Sequence, residues 1–62
     1  MSKYGADRQV VDVIYSSGHE FEIVQTRRVI GADDFSIYKD GSYHLGGFES
    51  QLMAIDAIRA KS

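Results

Sequence analysis

The stretch QVVDVIYSSGHEFEIV, residues 9–24, decides how the chain folds. Gln9 to Tyr15 is dense in β-branched and aromatic residues, the side chains that fit a pleated and half-buried surface. His19 to Val24 alternates polar and apolar residues with a period of two, the repeat of a strand with one wet and one dry face. Ser16-Ser17-Gly18 separates the two runs and ends in the one residue that enters the left-handed region without steric cost. A three-residue loop of this kind predicts a hairpin in which Tyr15 opposes His19, Val13 opposes Phe21 and Val11 opposes Ile23. Like then faces like, and a slip of one residue turns every side chain to the other face.

The same argument applies to residues 35–45, FSIYKDGSYHL. A two-residue Asp40-Gly41 turn sets Ile37 against His44 and Ser36 against Leu45, mixing apolar with polar. A three-residue loop, Lys39-Asp40-Gly41, instead pairs Phe35 with Leu45, Ile37 with Tyr43 and Ser36 with His44. The second alignment is the better one on pattern. Between the hairpins the second strand is expected to continue through Val29-Ile30 and to turn at Gly31-Ala32-Asp33.

Gly46-Gly47 breaks the last strand, and Ser50 is placed to cap a helix that follows it. At about 100° per residue, Leu52, Ala54, Ile55 and Ile58 share one side of that helix. The expected fold is therefore α+β: an antiparallel β-meander of three to four strands with one C-terminal helix packed across one face. Val11, Val13, Phe21, Ile23, Phe35, Ile37 and Leu45 are expected to meet Leu52, Ile55 and Ile58, with Phe48 closing the corner. Residues 1–62 make a single small domain, of which the polar residues 1–8 are expected to be flexible.

Composition narrows the function. The chain has 62 residues, no cysteine and only two histidines, which excludes disulfides and thiolate zinc sites and leaves no ligand set for a metal. No Gly-x-Ser-x-Gly elbow, phosphate loop or His-Glu-x-x-His sequence is present. A chain this short also has little room for a water-excluding pocket. No enzyme activity, cofactor or metal is expected. The absence of an apolar leader or a run of ~20 apolar residues points to a cytoplasmic protein with no membrane partner. A net charge of −2 lacks the basic footprint that phosphate contacts demand, so nucleic acid is disfavoured as a partner.

What remains is binding. On the predicted register Arg28, Tyr38 and His44 share the sheet face turned away from the helix, together with Thr26 and Ser36. Arginine and tyrosine are enriched at interfaces, so this group is the candidate contact patch, against the plainer reading of a solvated sheet face. Glu20 and Glu22 point outward from the second strand and suit a basic partner. On the helix, Met53, Ala57 and Ala60 form a second thin stripe that fits a homodimer contact, or alternatively reflects alanine's helix propensity alone. The leading expectation is a non-enzymatic module that docks on a protein partner as a small regulator or inhibitor, of the kind phages and mobile elements encode.

One segment carries a family resemblance. Leu45-Gly46-Gly47-Phe48-Glu49-Ser50, followed by Ala54-Ile55 and Ala57-Ile58, resembles the strand-to-helix end of the AP2-type DNA-binding domain, a group that includes the arm-binding modules of some phage integrases. The resemblance spans residues 45–58. It implies a three-stranded sheet whose exposed face enters the major groove, with Arg28, Tyr38, Lys39 and His44 nearest to the reading positions. The strands here lack tryptophan, and Glu20 and Glu22 place negative charge where that family meets phosphate. An AP2-like DNA-binding accessory factor is therefore the alternative expectation.

Overall fold

The structure, a computed structural model, describes residues 7–61, with the side chain of Lys61 left aside. Among these residues the chain forms β1 (Arg8–Ser16), β2 (His19–Thr26), β3 (Asp34–Lys39), β4 (Ser42–Phe48) and α1 (Gln51–Lys61). The strands make one open antiparallel sheet in the order β1-β2-β3-β4, a meander, and α1 packs across one face of it. The expected α+β architecture is thus the observed one. Of the N-terminal residues expected to be flexible, Arg8 already pairs with Thr26, and the Arg27 N–H donates to the Asp7 carbonyl at 2.8 Å; residues 1–6 lie outside the described part.

Both hairpins turn differently from the sequence expectation. Ser16 pairs with His19 and Lys39 with Ser42, so each loop holds two residues. Ser17 and Gly18 have φ of 53° and 78°, and Asp40 and Gly41 have φ of 50° and 87°. Positive φ at both central residues is the type I′ turn, whose twist matches that of the flanking strands, whereas a three-residue loop needs a bulge next to the turn. Turn geometry therefore prevails locally, and the in-and-out pattern is repaired further along each strand.

The repair is made by β-bulges, which add one unpaired residue and shift the register. In β1, Val10 opposes Val24 while Asp12 opposes Ile23, leaving Val11 as the extra residue. In β4, His44 is extra between Tyr43, opposite Tyr38, and Leu45, opposite Ile37. A second β4 bulge places Gly46 and Gly47 between the Ile37–Leu45 and Phe35–Phe48 pairs, with Gly47 at φ 82°. All three lie on the two edge strands, where distortion also blunts pairing with a foreign strand. Asp12 adds to this, since its Oδ1 accepts the Val13 backbone N–H at 2.8 Å.

The core consists of Ile23, Ile37, Ala54 and Ile58, with Val11, Ile14, Phe21, Phe35, Leu45, Phe48, Ile55 and Ala57 packed around it. Two expected members are absent. Val13 opposes Glu22 on the face away from the helix, and Ile14 takes its place because the turn is one residue shorter. Leu52 is 66% exposed, because the helix presents Ala54 and Ala57 to the sheet instead. Small residues there let the helix backbone approach closely. The expected N-cap is present: Ser50 Oγ accepts the Met53 N–H at 3.2 Å. β2 ends at Thr26 rather than continuing, so Val29 and Ile30 stand out of a loop at 102% and 87% exposure. That loop is tied down by Gln25 Nε2, which donates to Asp33 Oδ2 at 2.7 Å, and by an Arg28–Asp34 ion pair at 3.4 Å.

Candidate functional site

The sheet face without the helix is built by alternation. From β1 it receives Val10, Val13 and Tyr15; from β2, Glu20, Glu22 and Val24; from β3, Ser36 and Tyr38; from β4, Tyr43. Val24 at its centre is fully buried although no helix lies over it. Its cross-strand neighbours are Val10 and Ser36, so the face carries a small hydrophobic cluster of its own. Around that cluster Val10, Val13, Tyr15 and Tyr43 remain exposed. Tyr38 and Tyr43 meet edge to face with ring centroids 5.7 Å apart, the arrangement that aromatic quadrupoles favour. The Tyr43 phenol lies across Gly46 and fills the space a Cβ would need there. This is why the second β4 bulge begins with a glycine.

Acidic groups border the tyrosines. Tyr15 Oη donates to Glu20 Oε1 at 3.3 Å. Glu22 sits between Val13 and Tyr38 by register and is only 6% exposed, so it is a buried member of the face and not the outward contact expected of it.

The five residues singled out from the sequence do not all converge. Glu20, Glu22 and Tyr38 share the open face. His44 does not: the bulge turns its ring to the helix side, 6.1 Å from that of Phe21. Arg28 belongs to the β2–β3 loop and pairs with Asp34, because the second strand stops two residues before it. Lys39 follows Ile37 by two positions on the helix side and borders a cavity there with His44. Of the four positions implied by the AP2-type resemblance, Tyr38 alone lies on the helix-free face. Sequence reasoning missed Tyr15, Val13, Val10 and Tyr43; the Ser17-Gly18 and Asp40-Gly41 pairs were the signal, read as two-residue turns.

The helix stripe is also rearranged. Met53 and Ala60 are exposed, whereas Ala57 packs against the core, and Leu52 joins Met53 on the outer side.

At the turn end of the sheet the two hairpins are joined through Asp40. Its backbone N–H donates to the Glu20 carbonyl at 2.8 Å, and its Oδ1 accepts the Glu20 N–H at 3.0 Å. Its Oδ2 lies 2.7 Å from His19 Nδ1, which must carry the proton when the carboxylate is ionised. The Glu20 N–H first, and His19 second, hold the Asp40 carboxyl below its ordinary pKa. Among the described residues no group of three or more His, Asp or Glu side chains is arranged to hold a metal ion, and no helix is long and apolar enough to cross a membrane.

No protein-family model, curated protein or solved structure matches this chain.

Proposed function

We propose that the protein is a non-enzymatic binding module that docks on a protein partner through the helix-free face of its sheet. The observation that carries this reading is the exposure of Val10, Val13, Tyr15 and Tyr43 together on that face. An open sheet surface normally alternates to polar residues. Here it offers aliphatic side chains and three tyrosines, with Glu20 at the margin. Tyrosine combines apolar area with a hydrogen-bonding tip at small entropic cost, which favours it at interface centres. The partner has an apolar surface with basic groups opposite Glu20, and binding blocks or modulates that surface as a regulator or inhibitor does.

Protein is favoured over duplex DNA by charge placement. Glu20 lies half-buried on this face and Glu22 is buried in it, Asp34 is neutralised by Arg28, Arg8 stands at one end of β1, and Lys39 and His44 lie on the helix side. A surface that reads DNA neutralises phosphates with several cations.

The test is cross-linked capture from the source cells, comparing the parent chain with Tyr15→Ala/Val13→Ser and with Leu52→Lys on the helix. The reading expects one protein to be captured by the parent and by Leu52→Lys, insensitive to nuclease, and lost from the sheet-face variant. Equal capture by all three chains, or retardation of random duplex DNA that falls steeply with salt, would overturn it.

A further inference from the structure

We infer that a second site, on the other side of the sheet, binds a small apolar monocarboxylate of about one aromatic ring. A cavity of about 200 Å³ opens between the two hairpin turns and the C-terminal half of α1. Its floor is Phe21, Ile37, Leu45, Ala57 and Ile58, of which Ile37 and Ile58 belong to the buried core. An apolar cavity of ~150 Å³ stays dry and accommodates benzene, so this one holds a ring and a carboxylate and is too small for the common cofactors, whose pockets start near ~300 Å³.

The rim selects the charge. It is formed by Lys39, His44 and Ser17, which can donate, and by His19, whose Nδ1 proton is engaged with Asp40; among the described residues no carboxylate lines the cavity. The Asp40 carboxylate is held by the Glu20 N–H and by His19. Among the described residues the Lys39 and His44 side chains form no hydrogen bond or ion pair, although Lys39 lies close enough to Asp40 to help lower its carboxyl pKa.

Two features bring donors to this rim, the second being the same bulge that restores the β4 register. Lys39 occupies the helix-side position after Phe35 and Ile37, where alternation calls for an apolar residue. An inward lysine protects edge strands from foreign pairing, but β3 is a central strand. The β4 bulge turns His44 to the same rim, and bulges re-aim side chains beside binding sites. A bound carboxylate spans Lys39 and His44 while its ring lies over Ile58 and Leu45. This site is separate from the docking face and does not depend on it.

Titration of the full chain with benzoate, followed by methyl and amide NMR, tests the assignment. Saturable shifts are expected at Ile37, Leu45, Ala57 and Ile58, with a dissociation constant in the low millimolar range. Benzyl alcohol, of similar shape without the charge, and the Lys39→Met variant with benzoate should each bind about tenfold more weakly. Ala57→Leu, which fills the cavity with a good helix former, should abolish the shifts. The assignment is overturned if no saturation appears by about 20 mM, if benzyl alcohol binds as well as benzoate, or if Ala57→Leu binds unchanged.

Discussion

Ser17 is the residue at which the observed hairpin and the three-residue alternative differ most sharply. In the type I′ turn its φ is 53°, in the left-handed region, ahead of Gly18 at 78°. A side chain there costs roughly 1–2 kcal/mol relative to right-handed backbone. Asparagine enters this region several-fold more readily than most residues, and a three- to fivefold preference corresponds to about 0.6–1 kcal/mol. Asn-Gly is also the pair most favoured in this turn. Ser17→Asn is therefore expected to stabilise the protein by that amount, raising Tm by about 5–8 °C for a domain of this size. Thermal unfolding followed by far-UV circular dichroism measures it. In a three-residue loop residue 17 sits in right-handed backbone, and the substitution brings nothing. Gly18→Ala destabilises in either geometry and serves as the control. An unchanged or lowered Tm for Ser17→Asn, with Gly18→Ala destabilising, would refute the two-residue turn and the register built on it.

Four further substitutions probe other parts of the fold. Asp40→Asn keeps a turn-compatible side chain but removes the acceptor for His19; because the native carboxyl titrates below its ordinary value, its contribution is present above the usual aspartate range and lost as pH falls through the native value. The parent should lose more Tm than Asp40→Asn between about pH 5 and pH 2, and identical acid profiles would contradict the Asp40 contacts. Leu52→Lys should change stability by less than about 0.5 kcal/mol, whereas Ile58→Ala should cost roughly 2–5 kcal/mol, a large share of the ~3–9 kcal/mol available to a chain of this length; urea denaturation that ranks the two in the opposite order would reverse the helix orientation. Gly46→Ala should displace the Tyr43 phenol with little loss of stability, detected as loss of the Tyr43–Tyr38 ring contact by NMR, and an unmoved ring would contradict the packing of Tyr43 over Gly46.

The element types were legible because they depend on short-range signals. Alternation in residues 19–24, Gly46-Gly47 and the Ser50 cap mark strand, break and helix start without reference to the rest of the chain. Register was not legible in the same way. Matching apolar residues across a continuous ladder made the three-residue loops look better, and a bulge breaks the assumption of continuity. Once Val11 and His44 are set aside as extra residues, two-residue turns and an apolar interior coexist, with Ile37 opposite Leu45. The cost of the missed bulges falls on the candidate site. One residue of slip brings Tyr43 out and takes His44 in, while Val13 exchanges places with Ile14. Leu52 was misplaced for another reason: periodicity grouped it with Ala54, Ile55 and Ile58, but the buried side of the helix is centred on Ala54, Ala57 and Ile58, which leaves Leu52 outside.

The bulge at His44 governs both surfaces, since it sends Tyr43 to the open face and His44 to the cavity. Nuclear Overhauser contacts from the His44 ring measure its direction. They should run to Phe21 and to the methyl groups of Ile58 or Leu45, with Tyr43 in contact with Tyr38 and Gly46. Contacts from His44 to Ser36 and Tyr38, with Tyr43 beneath the helix, would contradict the account.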